Sequence, residues 1–459
     1  MNDKITVGSS ANYLVQQTVG RNSTGYGDNL MAQFRQWWQV NVDLKDQEDI
    51  FNKTGKNYSW NNEGALTGPG SGGELIGHYW DNPYWTRYKN FQSDERNRFF
   101  GNVFATLEIN DWLSVTAKGA VDTYNELREE RRAIGSVATQ FGILGDDEGS
   151  GYDRVDILFS EYNYDLMFNV NKQLTADISL DGVFGINVRK ESYSYLRNST
   201  AGGLAIPNIF ALSNSLSSNP KPIESLREKQ VNGYYAQASL GYKNILYLDL
   251  TDRIDVSSAL PSENNSYNYY AASSSLIFSK LVDFEWLNFG KLRAGYAEVG
   301  NDLPAGNVFD TYSTLNNFGN ASLFSYGSTK NNASLKPERT KEIEVGLEAK
   351  MFNNAVGFDF SWYKKNTEDQ LMPAAVTTST GFSNRWVNAG EIQNKGVELG
   401  IYATPFKNEN FSWDLSVNWA KNESLVVDLY GDQENLQLNS FFNLSIAKFS
   451  ATSTCSHPL

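Results

Sequence analysis

The 459-residue sequence holds a single cysteine, Cys455, and two histidines, His78 and His457. One cysteine excludes a disulfide framework and any Cys-based metal site within the chain. Two histidines leave no room for a multi-His metal site and almost none for a His-dependent triad. No run of 18 apolar residues occurs, so a helical membrane span is excluded. The opening MNDKITVGSSANYL lacks a basic start followed by an apolar core, and no signal peptide is visible. Positive charge is short as well: 39 Lys and Arg against 53 Asp and Glu give a net charge of −14, which argues against nucleic acid as a partner.

What the chain does have is alternation. Segments of about ten residues switch between apolar and polar along nearly its whole length, the pattern of a β-barrel that crosses a membrane. NVFATLEI (102–109) and WLSVTAKGAVDTY (112–124), joined at Asn110-Asp111, are the clearest pair. Val103, Ala105, Leu107 and Ile109 share one face, and Asn102, Thr106 and Glu108 the other. Leu113, Val115, Ala117 and Val121 likewise oppose Ser114, Thr116, Lys118 and Asp122. The rule continues with Ile178 to Val188, Ile343 to Met351, Val397 to Ala403 and Phe411 to Trp419. One face would meet lipid and the other a wet lumen. A mean hydropathy of −0.46 fits this, because lumen-facing residues dilute the apolar ones. The 25 Tyr, 26 Phe and 11 Trp suit aromatic belts at the two membrane borders.

Connections sort by length. Short ones fall at Asn110-Asp111, 171–177, 242–244, 280–286, 352–354 and 405–410; long polar loops alternate with them near 15–96, 125–155, 190–231, 253–267, 300–338 and 364–388. A soluble sandwich has no reason to sort its loops in this way, whereas an outer-membrane barrel puts short turns inside and long loops outside. The expected fold is therefore all-β, a transmembrane antiparallel barrel of 13 or 14 strands over residues 1–449. A short helix is expected near 31–42, where Phe34, Trp37 and Trp38 cluster.

Candidate chemistry is sparse, and the sequence points to no enzyme, no cofactor, no metal site and no named substrate-binding residue. Gly68-Pro69-Gly70-Ser71-Gly72-Gly73 formally matches a dinucleotide fingerprint but lacks the strand and helix that give it meaning. Asp146, Asp147, Glu148 and Asp153 crowd one acidic loop without EF-hand spacing. No spacing marks a catalytic carboxylate pair. His78 reads as loop packing. Trp37, Trp38, Trp60, Trp80 and Trp85, five of the 11 Trp, fall in the first long loop. They read as loop packing or contact with a lid protein ahead of direct stacking on sugar. Lys118, Asp122, Asp181, Arg189, Glu344, Glu348 and Glu398 fall on the lumen side, where they line a transport path or simply wet the wall.

Four phrases carry a family resemblance: 79–124, 245–279, 335–371 and, most clearly, VNAGEIQNKGVELGIYATPFKNENFSWDLSVNWAKNESLVVDL (387–429). Together and in this order they resemble the SusC/RagA family of TonB-linked outer-membrane transporters of Bacteroidetes. The resemblance implies a large barrel, with plugged transporters reaching about 22 strands. It further implies import of an oligomeric nutrient, glycan or peptide, under a SusD-like surface lipoprotein. Energy would come from the TonB complex through an N-terminal plug region. No plug counterpart is visible here, since residue 5 already reads as strand, and 450–459 (SATSTCSHPL) reads as an unrelated tail. The expectation is an internal barrel part that neither closes nor transports alone, because unpaired edges in lipid are costly. The rival expectation is a soluble or surface β-rich glycan-binding module, supported by aromatic loops and acidic charge.

Overall fold

The computed structural model describes residues 4–21, 30, 38–62, 77, 79–136, 149–315, 317–430, 435–441, 444–450 and 454–455, those after 430 through their backbone alone. The wall begins with β1 (Ile5–Arg21), β2 (Gln92–Asn110), β3 (Leu113–Arg132), β4 (Gly151–Gln173) and β5 (Ile178–Ser199). It continues through β6 (Ile223–Tyr242), β7 (Leu246–Ser257), β8 (Ser266–Leu276) and β9 (Leu287–Asn301). Short β10 (Tyr312–Thr314), β11 (Phe324–Tyr326) and β12 (Thr329–Lys330) lie in the next loop. Then come β13 (Glu338–Met351), β14 (Val356–Glu368), the loop strands β15 (Leu371–Ala375) and β16 (Asn384–Asn388), and the wall strands β17 (Glu391–Lys407) and β18 (Ser412–Asp428). A hairpin of β19 (Asn435–Phe441) and β20 (Leu444–Ser450) precedes β21 (Thr454–Cys455). Helices α1 (Leu44–Thr54) and α2 (Pro83–Lys89) sit between β1 and β2.

One 14-stranded sheet holds β1 to β9, β13, β14, β17, β18 and β21 in that order. Each wall strand pairs antiparallel with the next, as in β2–β3, β4–β5 and β14–β17. The sheet is open among the described residues: β1 pairs only with β2, and β18 meets β21 only at Ser424 and Leu425. Short connections of 2 to 10 residues all fall at one end, and every long one at the other. At the β6–β7 turn, Lys243 and Asn244 have φ of 53° and 55°, the paired positive values of a tight hairpin turn whose twist matches the strands it joins.

One expectation changes. Strands β3 to β6 run 20, 23, 22 and 20 residues, twice the ten read from alternation. The sequence signal stops where the membrane does, because above it both faces meet water while backbone pairing continues. Along β4 the outward face reads Val170, Phe168, Leu166, Tyr164 and Tyr162, and then mixes Ser160, the exposed Leu158 and Asp156. Of the helix expected near 31–42, residues 31–37 lie outside the described residues and 38–42 form no helix. A further helix, α1, starts at Leu44, where the Asp43 side chain accepts from the Lys45 N–H as an N-cap.

The dry core is not in the wall. Leu260, Leu303 and Leu335, with Tyr267, Leu371 and Trp386 against them, form a small cluster at the long-loop end. Wall apolar residues point outward and stay open: Val345 is 39 % and Val417 49 % exposed, and Leu113 is half-buried on the same face. Ile178 to Val188 covers about 33 Å along β5, or about 25 Å of bilayer at a tilt near 40°. Aromatics border this band. Tyr162, Tyr234, Tyr270, Trp362 and Trp419 lie toward the long loops, and Tyr242, Trp286, Phe352 and Trp413 toward the short turns, all exposed. Phe284 stacks on Trp286 at 5.6 Å, and Trp286 meets Phe352 at 6.5 Å.

Candidate functional site

The other face of the sheet is mostly polar, with scattered apolar residues such as Phe100, Phe104 and Met167. Register places Lys118, Asp122, Asp181, Arg189, Glu344, Glu348 and Glu398 all on it, as their sequence pattern implied. Period two does the sorting: Val345, Leu347 and Leu399 are the immediate neighbours of these acids and face the opposite way.

Near the short turns the inner face mixes hydroxyls and amides with a few carboxylates. Thr106 and Thr116 hydroxyls meet at 2.9 Å, Asn169 Nδ2 donates to Thr116 Oγ1 at 3.1 Å, and Asn187 Nδ2 donates to Asp165 Oδ1 at 2.8 Å. Higher up, ion pairs cross strands. Arg98 binds Asp122. Arg96 and Arg128 converge on the buried Glu126, each at 2.5 Å. Arg189 bridges Glu161 at 2.9 Å and Glu191 at 3.1 Å. Arg253 Nε donates to Asp255 Oδ1 at 2.9 Å, and the Tyr269 hydroxyl donates to the same carboxylate. Back beside the short turns, Asp181 receives Asn171 Nδ2, and Lys350 pairs with Glu348 along β13 at 3.6 Å.

Glycines let long side chains lie across this face. Tyr235 crosses Gly185, where a Cβ would come within 2.4 Å of its hydroxyl. Arg293 crosses Gly346 in the same way. Such close approach is open only to a residue without Cβ. Beyond Gly346, Glu342, Glu344, Ser361, Tyr363, Lys365, Asn394, Glu398 and Asn422 line a recess of about 440 Å³. Three carboxylates, Glu342, Glu344 and Glu398, border it, and its cations are Lys365 and, at 3.5 Å from Glu344, Arg293.

Outside, the first long loop folds on itself through buried side chains. Asn82, fully buried, donates from Nδ2 to the Gln47 and Tyr58 carbonyls, both at 2.9 Å, and its Oδ1 accepts from the Tyr84 N–H at 2.8 Å. Trp80 and Trp85 are 6 % and 7 % exposed, and Trp85 Nε1 donates to Ser136 Oγ at 2.8 Å. These two tryptophans pack the loop. Trp38 lies 5.3 Å from Trp60, half-buried. Trp37, His78, His457, Asp146, Asp147, Glu148 and the 68–73 glycine run lie outside the described residues. Asp153, the fourth acid of the expected cluster, is on β4 and held by Arg197 at 2.9 Å. Among the described residues no group of His, Cys, Asp and Glu is arranged to hold a metal ion.

Residues 37–451 match the family described as TonB dependent receptor-like, beta-barrel. The chain belongs to that family. Among curated proteins, a TonB-dependent receptor of Formosa agariphila is 25 % identical over 372 residues, covering 78 % of this chain and 36 % of the relative. The TonB-dependent receptor SusC of Bacteroides thetaiotaomicron is 24 % identical over 288 residues, 60 % of this chain and 28 % of SusC. Of solved structures, the RagAB peptide transporter superposes with a TM-score of 0.75 at 18 % identity, over 95 % of this chain and 47 % of that one. The chain thus spans about a third of the curated relatives' length and about half of the RagAB chain. The family is one of outer-membrane receptors, and within it this chain is similar to SusC and to the RagAB transporter.

Sequence reading missed Arg293, Asp359, Arg96, Glu126, Arg253 and Asp255 as partners. A charge on the inner face is readable from alternation; which charge it meets depends on register between strands far apart in sequence.

Proposed function

We propose that this chain forms part of the wall of an importer that carries an oligomeric nutrient, glycan or peptide, across the outer membrane of a Gram-negative, Bacteroidetes-like cell. The carrying observation is the two-faced sheet: an apolar band bordered by aromatics on one side, and on the other a wall of paired charges under long loops. An apolar band on the outside argues against the soluble glycan-binding module, because water would have to cover it. The inner wall moves cargo without chemical change. Its charges are mostly paired with one another, which lets a polar oligomer slide past without being trapped. Names printed for relatives support the cargo class: SusC, and a RagAB structure titled as a peptide transporter. In this reading a SusD-like lipoprotein lids the loops, and TonB supplies energy through a plug region of the whole receptor.

The test is uptake. A host strain lacking the gene is complemented with the whole receptor, and labelled oligosaccharides and oligopeptides are offered with and without a protonophore. Complemented cells are expected to take up one class, only while the proton gradient stands. Uptake equal to that of the deletion strain overturns the proposal.

A further inference from the structure

The outward face of β13 to β18 carries a feature that the transport reading leaves unused. Above the aromatic border, Lys364 follows Trp362 on β14, Lys421 follows Trp419 on β18, and Lys395 follows Val397 on β17 between them. All three lysines are exposed. Lys364 and Lys395 are direct register partners. Like charges placed opposite each other on neighbouring strands destabilise a sheet. One carboxylate serves the trio: Glu423 lies 3.1 Å from Lys395 and 3.2 Å from Lys421. Lys364 has no ion pair among the described residues. The neighbouring cations are already matched, Arg339 with Glu298 at 2.8 Å and Lys341 with Glu368 at 2.7 Å. Elsewhere above the border the outward residues on β2, β3, β4 and β6 include Asn97, Asn125, Ser160 and Asn232, and β5 carries one exposed lysine, Lys190. Lysines gathered on adjacent strands, on a chain of net charge −14, distinguish this sector from those described strands.

We propose that Lys364, Lys395 and Lys421 form a binding site for the phosphate-bearing head group of an outer-leaflet lipid. Depth argues for a lipid over a soluble anion. Trp362 and Trp419 mark the level where aromatic belts meet head groups, and the lysines stand immediately above them on the lipid side. Lysine stems lie along apolar surface while the ammonium reaches the polar layer. A phosphate set among the three ammonium groups removes the Lys364–Lys395 repulsion and supplies the missing counter-charge. The inference rests on the membrane reading of this sheet.

The test uses the whole receptor in neutral detergent, titrated with diphosphorylated lipid A, with dephosphorylated lipid A, and with inorganic phosphate. The wild type is expected to prefer the phosphorylated lipid by about tenfold or more, given the usual gain per basic residue at an anionic surface. The triple variant K364Q/K395Q/K421Q is expected to lose that preference, and K364R/K395R/K421R to keep it. K190Q on β5, a lone outward lysine, is expected to leave it unchanged. Equal binding by the Gln triple variant, or equal binding of the dephosphorylated lipid, overturns the proposal. Displacement of the lipid by inorganic phosphate at matching concentration overturns the assignment to a lipid. Liposome insertion of each protein is measured alongside: failure of the wild type to insert defeats the membrane reading, whereas insertion without phosphate preference defeats only the lysine site.

Discussion

Arg293 on β9 reaches across Gly346 of β13 and grips Asp359 on β14 with two hydrogen bonds, Nη1 to Oδ2 at 3.0 Å and Nη2 to Oδ1 at 2.7 Å. Nη2 also donates to Ser361 Oγ at 2.5 Å. A single side chain thus ties three strands on the inner face, and it does so because the middle strand offers no Cβ. A Cβ on Gly346 would stand 2.4 Å from Arg293 Nε. Gly346→Val is expected to lift the guanidinium away and to cost about 1–2 kcal/mol, the range of a lost part-exposed ion pair plus strain. Adding Arg293→Ala removes the clash, so the double variant is expected to be no worse than Gly346→Val alone. Urea unfolding from liposomes measures both; strict additivity of the two costs contradicts the contact.

Leu399 and Glu398 are chain neighbours on opposite faces of β17. Leu399 is flanked by Phe360 and Trp419 at the upper edge of the apolar band, whereas Glu398 borders the inner recess. Leu399→Arg is expected to destabilise the inserted protein by about 1–2 kcal/mol, between the midplane cost of a cation in a barrel and its small cost at the interface. Glu398→Arg is expected to change stability by less than about 0.5 kcal/mol, as for other wetted positions. Reversal of this order in a liposome folding titration means that the faces have been assigned the wrong way round.

That face assignment was the part most legible in the sequence. Alternation from Ile343 to Met351 needs no partner strand to be read, and the structure keeps it residue by residue. The alternation of short and long connections was legible for the same reason, since turn residues such as Lys243-Asn244 act locally. Strand length was not, because β4 and β5 go on pairing above the membrane after their apolar rhythm ends. Arg293 and Asp359, 66 residues apart, each read only as a charge on the wet side. The packed first loop was legible as aromatic-rich but not as a fold. Its organiser, Asn82, is a short polar residue whose role depends on carbonyls brought in from 24 and 35 residues away.

The loop between β9 and β13 carries a pH-sensitive tie. Lys330 Nζ donates to Asp310 Oδ2, and the Asn331 backbone N–H donates to Oδ1 at 2.8 Å. The hydrogen bond from Lys330, helped by the Asn331 N–H, holds the Asp310 carboxyl below its ordinary value. A carboxyl whose folded pKa is depressed contributes stability above its unfolded pKa, near 4, and loses it as pH falls through the lower folded value. Hydrogen exchange of residues 309–331 is expected to stay slow at pH 6 and to quicken as pH drops below about 4. Asp310→Asn is expected to exchange fast at both pH values, and an unchanged Asp310→Asn profile removes the tie.

Asn82 offers the sharpest test of the outer loops. Its side chain caps α2 and at the same time donates to two carbonyls, with no exposed surface. Asn82→Ala leaves the Gln47 and Tyr58 carbonyls and the Tyr84 N–H without these partners, and each buried orphan costs about 1–3 kcal/mol. Asn82→Asp keeps the cap acceptor but turns a carboxylate toward two carbonyls and beside buried Asp81. At neutral pH it is therefore expected to be as damaging as alanine, and to recover in part when acid protonates the new carboxyl. Hydrogen exchange reads the loop separately from the wall: residues 44–62 and 79–91 are expected to open in both variants while β3 to β6 keep their protection. Protection lost equally in the wall means that the loop and the sheet unfold as one unit, and the outer loop is then a load on the barrel instead of a separate module seated on it.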